Sequence, residues 1–182
     1  MDANNDQNMT DLMKMAASGD IERCEYLLQE DPHQINFRDI DGKTALMHAV
    51  TYGESMSYEL LLSYGADLSL SDNQGNTALF HAALSGNMNM CQKIISENRR
   101  FTQDKNAKGD TVLHYACRGG HFHTAKYLVS KMLIPDITCY NCEQKNMMDV
   151  WGVSPGSSDE SRSSVEKSVF HDFITGYVGA HL

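Results

Sequence analysis

The chain is 182 residues long and acidic, with 15 Lys and Arg against 24 Asp and Glu for a formal charge of -9. That balance, with no basic stripe anywhere, argues against nucleic acid or an anionic lipid surface as a partner. No apolar run approaches the roughly 20 residues that a membrane helix needs, and the length suits one domain or a short array without a single central core.

In chain order, the opening "MDANNDQNMTD" is polar and acidic, unlike the basic and apolar regions of a signal peptide. With no export signal, the odd count of five cysteines reads as reduced thiols, and a cytoplasmic location is expected. Next comes "MTDLMKMAASGDIERCEYLLQED", then three related strings: "GKTALMHAVTYG" (42–53), "GNTALFHAALSG" (75–86) and "GDTVLHYACRGG" (109–120). Aligning them gives three columns: Leu12, Leu46, Leu79 and Leu113; Gly19, Gly53, Gly86 and Gly120; and the pairs Leu27-Leu28, Leu61-Leu62, Ile94-Ile95 and Leu128-Val129. Every column steps by 34, 33 and 34 residues, a period that marks stacked helix pairs.

Each unit reads locally. Asp39-Ile40-Asp41-Gly42 and Asp72-Asn73-Gln74-Gly75 carry turn chemistry. Thr44, Thr77 and Thr111 follow two residues later, placed to satisfy the open amides of a first helix. That helix is short, ending at Gly53, Gly86 and Gly120, and the small Ala49, Ala82 and Ala116 admit a close neighbour. A second helix ends in the apolar pair, with Gly65 as a cap in "SYGAD".

This pattern resembles the ankyrin repeat, whose signature is a turn, Thr-Pro-Leu-His, an alanine-rich helix and a second helix. Ala45, Ala78 and Val112 stand where the family has proline, and only His114 keeps its histidine. The resemblance predicts an all-α solenoid with short hairpin fingers. It has four units (5–38, 39–71, 72–105 and 106–140) and a degenerate cap over 141–152, where Gln144 replaces the turn glycine. The Ser/Gly-rich stretch 153–163 reads as a linker, and 164–182 as an amphipathic helix with a Ser163/Glu166 capping box. Val165, Val169 and Phe173, with Phe170, Ile174 and Tyr177, form its apolar side, expected to fold back over the last repeat; a detachable helix laid into another protein's groove is the alternative.

Cys139-Tyr140-Asn141-Cys142 is the sharpest chemical candidate, because two thiolates at this spacing make half of a zinc site, which His121 and His123 could complete. No second Cys-x-x-Cys exists and His-x-His is not the usual partner spacing, so no metal and no cofactor is expected; a metal- or redox-responsive protein using Cys139 and Cys142 is the competing reading. Cys24, Cys91 and Cys117 read as core. No nucleophile elbow, phosphate loop or zinc-protease motif occurs, so no enzyme activity is expected.

The resemblance implies a protein–protein interaction module, a scaffold or adaptor that binds through turn tips and the exposed face of the first helices. Those positions are Ile40, Asp41, Lys43, Thr51 and Tyr52; Asn73, Gln74, Asn76, Leu84 and Ser85; and Lys108, Asp110 and Arg118. His48, His81 and Tyr115 share one column and are expected on the same open face, as groove residues and not ligands. The expected occupant is a neutral or basic protein segment, and the array is expected to be monomeric.

Overall fold

The computed structural model describes residues 9–132, 140–141, 144–146, 148–149 and 160–181. Cys139, Cys142, Trp151 and the expected linker up to 159 lie outside these, as do the side chains of 160–166. Two compact units divide the chain, Met1–Ala82 and Ala83–Leu182.

In the first unit, α1 (Asp11–Ser18) and α2 (Ile21–Glu30) make one helix pair, and α3 (Ala45–Tyr52) and α4 (Ser55–Ser63) the next. α1 packs on α2 and α3, and α2 packs on α4. α5 (Ala78–Leu84) carries the boundary, and α6 (Met88–Glu97), α7 (Val112–Arg118) and α8 (Phe122–Val129) follow. In the second unit α8 packs on α7, on α6 and on a final helix, α9 (Glu160–His181). The leucine column is fully withdrawn from water, with Leu12, Leu46, Leu79 and Leu113 at 1% exposure or less, and Ala49, Ala82 and Ala116 lie beside them. Cys24, Cys91 and Cys117 are in the core as expected. Burial, with Asp20 adding to it, pushes the Cys24 thiol up to about 11, and burial raises Cys91 to about 12. All three stay protonated at neutral pH.

The fingers, numbered two to five after the repeat units they open, repeat one hydrogen-bond pattern four times. The head residue's amide donates to the carbonyl four residues on: Asp39 to Lys43 at 2.9 Å, Asp72 to Asn76 at 2.9 Å, Asn106 to Asp110 at 3.0 Å and Asn141 to Lys145 at 2.9 Å. The head's Oδ1 accepts the returning amide of that same fourth residue, at 2.8, 2.9, 2.9 and 3.0 Å. The residue three after the head is left-handed, with φ of 80° at Gly42, 79° at Gly75 and 74° at Gly109. Gln144 holds the same place at φ 58°. A side chain is therefore tolerated there at some conformational cost, and the fifth finger forms without its glycine. Bridges Ser71–Thr77 and Lys105–Thr111 close two fingers into minimal hairpins.

Capping differs from expectation at one of the three threonines. Thr44 accepts from Met47 N at 3.4 Å as expected, and Thr10 does the same for α1 with Met13 N at 3.3 Å. Thr111 closes a capping box with His114, its amide donating to His114 Nδ1 at 3.3 Å and its hydroxyl meeting the same nitrogen at 2.8 Å, whereas the buried Thr77 hydroxyl has no hydrogen-bond partner.

Two of the glycines that end first helices, Gly19 and Gly86, have a second role. Asp20 and Asn87, which follow Gly19 and Gly86, cap their own second helices through Arg23 N and Met90 N, each at 3.0 Å. The longer Glu54 and His121 at the same position reach back instead: a Cβ on Gly19 would overlap the Glu54 carboxylate, and one on Gly86 the His121 ring. No other residue leaves that space.

α9 begins at Glu160, ahead of the expected 164, which places Ser163 inside the helix and not at its N-cap. It lies against α8: Phe170 is fully buried with its ring edge-to-face to Phe122 at 5.9 Å, and Ile174 is buried one turn on. Lys126 sits over the Phe173 ring at 5.0 Å. Val169, expected on the packed side, is 51% exposed, because the buried ridge runs through Phe170 and Ile174.

Candidate protein-interaction surface

The residues expected to meet a partner separate into two sets. Ile40, Asp41, Thr51, Tyr52, Asn73, Gln74, Leu84, Ser85 and Lys108 are exposed, with Ile40 at 68% and Tyr52 at 64%. Lys43 and Arg118 are half-buried. His48, Asn76, His81, Asp110 and Tyr115 are buried, and the expectation that they lie open to a partner is overturned.

The physical reason lies nine residues upstream of the histidine column. His48 Nε2 donates to Asp39 Oδ2 at 2.8 Å, and His81 Nε2 to Asp72 Oδ2 at 3.1 Å. In the second unit the pair is recast as Asn106 Nδ2 donating to Tyr115 Oη at 3.1 Å. One oxygen of the head residue holds its own finger, and the other side-chain atom ties that finger to the first helix. The donors match the acceptors, imidazole with carboxylate and amide with phenol. Burial lowers the His48 pKa despite its Asp39 partner, so the ring is neutral at pH 7 and its one proton is the one it donates. For Asp72, burial alone would raise the pKa, but hydrogen bonds from His81, Asn76 and Gln74 outweigh it and bring it to about 2.

Asn76 belongs to the same knot, donating from its backbone and side chain to Asp72 at 2.9 and 3.0 Å. Asp110, wholly buried, accepts from Arg118 Nη2 at 3.0 Å and from Asn141 Nδ2 at 2.7 Å. The Arg118 guanidinium also lies over the Tyr115 ring at 4.8 Å. His114, fully buried, takes protons at Nδ1 from the Thr111 amide and hydroxyl, and its Nε2 donates to Lys145 O at 3.2 Å. The fourth and fifth fingers are thereby tied to α7.

What stays exposed sits on a frame fixed by these ties. Asn73 Nδ2 donates to Ile40 O at 2.8 Å and its amide to Asp41 O at 2.9 Å, so the second finger's tip is held by the third. Arg38 adds a bond from Nε to Gly42 O at 3.0 Å and another from Nη2 to Ser71 O. Sequence reasoning missed the head column Asp39, Asp72, Asn106 and Asn141; its signal was the constant spacing of nine residues to His48, His81 and Tyr115.

Among the described residues no group of three or more His, Cys, Asp or Glu could hold a metal ion. His121, considered as a zinc ligand, gives its Nε2 to Leu84 O at 2.9 Å, and Cys139 and Cys142 lie outside the described residues. No helix among them is long and apolar enough to cross a membrane.

Paired short helices, with a hydrogen-bonded finger ahead of α3, α5 and α7, define a helical-repeat protein. Residues 1–72 and 59–141 each match the family model described as ankyrin repeats (3 copies). The chain belongs to the ankyrin-repeat family, whose arrays are in general protein–protein interaction modules and typically not enzymes.

Proposed function

We propose that this chain is a non-enzymatic adaptor that captures a protein partner with its finger tips and the exposed ends of its first helices. The observation that supports this most is the exposure of Ile40 and Tyr52, at 68% and 64%, on a finger and helix braced by Asp39, His48 and Asn73. Large apolar and aromatic side chains exposed to water on a braced backbone have apolar surface left to bury, and aromatic anchors of this kind dominate binding energies. In the second unit Leu84, Ser85, Lys108 and Arg118 offer a separate, more polar set.

The test starts with affinity capture of the partner, followed by titration. Tyr52→Ala and Ile40→Ala should each weaken binding by at least about 1 kcal/mol while the circular dichroism spectrum stays unchanged. Lys93→Ala, on a second helix, is the control. Full affinity in both anchor variants, with a loss in the control, would move the site to the other side of the array.

A further inference from the structure

The second helices of Met1–Ala82 carry a face that neither the fingers nor the core uses. α2 turns Cys24 and Leu28 inward and leaves Glu22, Arg23, Glu25, Tyr26, Gln29 and Glu30 exposed. At 3.6 residues per turn, Tyr26 falls at the centre of that face, with Glu22 and Glu30 one turn to either side. Tyr26 is 57% exposed. α4, packed against α2, exposes Met56 at 70%, with Glu59 and Ser63 at i+3 and i+7 on the same side. Among the described residues no ion pair takes up Glu22, Glu25 or Glu30.

Charge singles this unit out. Met1–Ala82 holds 14 Asp and Glu against 4 Lys and Arg, a net of -10, whereas Ala83–Leu182 holds 10 against 11, a net of +1. The contrast is built into one column of the second helices, which reads Glu25, Glu59, Gln92 and Lys126.

We propose that the outer face of α2 and α4 is a second docking surface, whose occupant is an amphipathic helical segment of another protein bearing Lys or Arg beside an apolar ridge. Tyr26 and Met56 supply the apolar contact, and the glutamates meet the cations. Such complementarity sets orientation and association rate, while the desolvated aromatic sets the lifetime. The residues differ from those assigned to the fingers, so either surface stands if the other fails.

The probe is a synthetic peptide of about four helical turns with Leu at i, i+3, i+4 and i+7 and Lys elsewhere, titrated against the whole chain. Binding should weaken at least about tenfold in a Tyr26→Ser/Met56→Ser double variant, and by a similar factor in Glu22→Gln/Glu25→Gln/Glu30→Gln. The triple variant should also flatten the dependence on salt between about 0.05 and 0.2 M. Gln92→Ala should bind as the parent does, and all variants should keep the parent's melting transition. Equal affinity for the double variant, or equal affinity of oligolysine and the Leu/Lys peptide for the parent, would overturn the proposal. So would sedimentation showing a dimer whose formation excludes the peptide, since the occupant would then be a second copy.

Discussion

The finger braces of the two units have the same geometry and different chemistry. Asp72 and His81 in the first unit and Asn106 and Tyr115 in the second join the same two positions at 3.1 Å in each case. The first pair is ionisable and the second is neutral across the physiological range. The repeat requires a hydrogen bond at this place and leaves its electrostatics open. A carboxylate head gathers several donors at once and gains more from folding, but that gain depends on pH. An amide head gives less and gives it at any pH.

The largest effect expected from breaking this contrast is at Asp72. Its pKa falls from an ordinary 3.8 to about 2 in the fold, which corresponds to a stabilisation of about 2 kcal/mol near neutral pH. Because the folded value is the lower one, the stabilisation is complete above pH 3.8 and is lost as pH falls towards 2. Asp72→Asn, which copies the second unit's head residue, should lose about 2 kcal/mol at pH 7 in chemical denaturation. The gap to the parent should close as the solution is acidified. His48 adds in the same direction: its lowered pKa contributes stability above 6.5 that is lost as pH drops below that value.

A smaller effect should follow in the second unit. Tyr115→Phe removes the hydroxyl that receives Asn106 Nδ2 and should cost about 1 kcal/mol. Its denaturation midpoint should move by the same amount at pH 7 and at pH 5, because neither member of the pair titrates there. A loss that grows on acidification would show that the two braces are electrostatically alike after all.

The smallest effect should come at Thr77. Its buried hydroxyl has no partner, so Thr77→Val should change stability by no more than about 0.5 kcal/mol and can even raise it. Thr44→Val, by contrast, removes an N-cap and should cost about 1 kcal/mol. Thermal melts of the two variants side by side decide the matter; equal losses would mean that Thr77 does cap α5.

Leucine, alanine and glycine columns were legible in the sequence because each records a constraint that returns unchanged in every unit: a buried face, a close approach, a left-handed turn. The helix pairs and fingers follow from those columns alone. The burial of His48, His81 and Tyr115 is not legible in the sequence, because helical periodicity places them off the leucine face of their own helix. What covers them is the preceding finger, which periodicity within a helix does not register. Asn76 and Asp110 were misjudged for the related reason that polar residues in a turn look solvated until their partners, Asp72 and Arg118, are known. The exposed positions Ile40, Thr51, Tyr52, Asn73 and Gln74 were legible because fingers and helix ends project wherever the stack repeats. Tyr26 and Met56 lie on the outer face of second helices, which the recurring finger and first-helix columns do not mark.

His114 brings the Thr111 cap, α7 and the fifth finger together at one ring, and this makes its Nε2 proton a clock. Shared with the Lys145 carbonyl at 3.2 Å and shut off from water, that proton leaves only when the finger does. Its exchange with solvent therefore counts openings at the end of the array, one proton recording the lifetime of a whole docked turn.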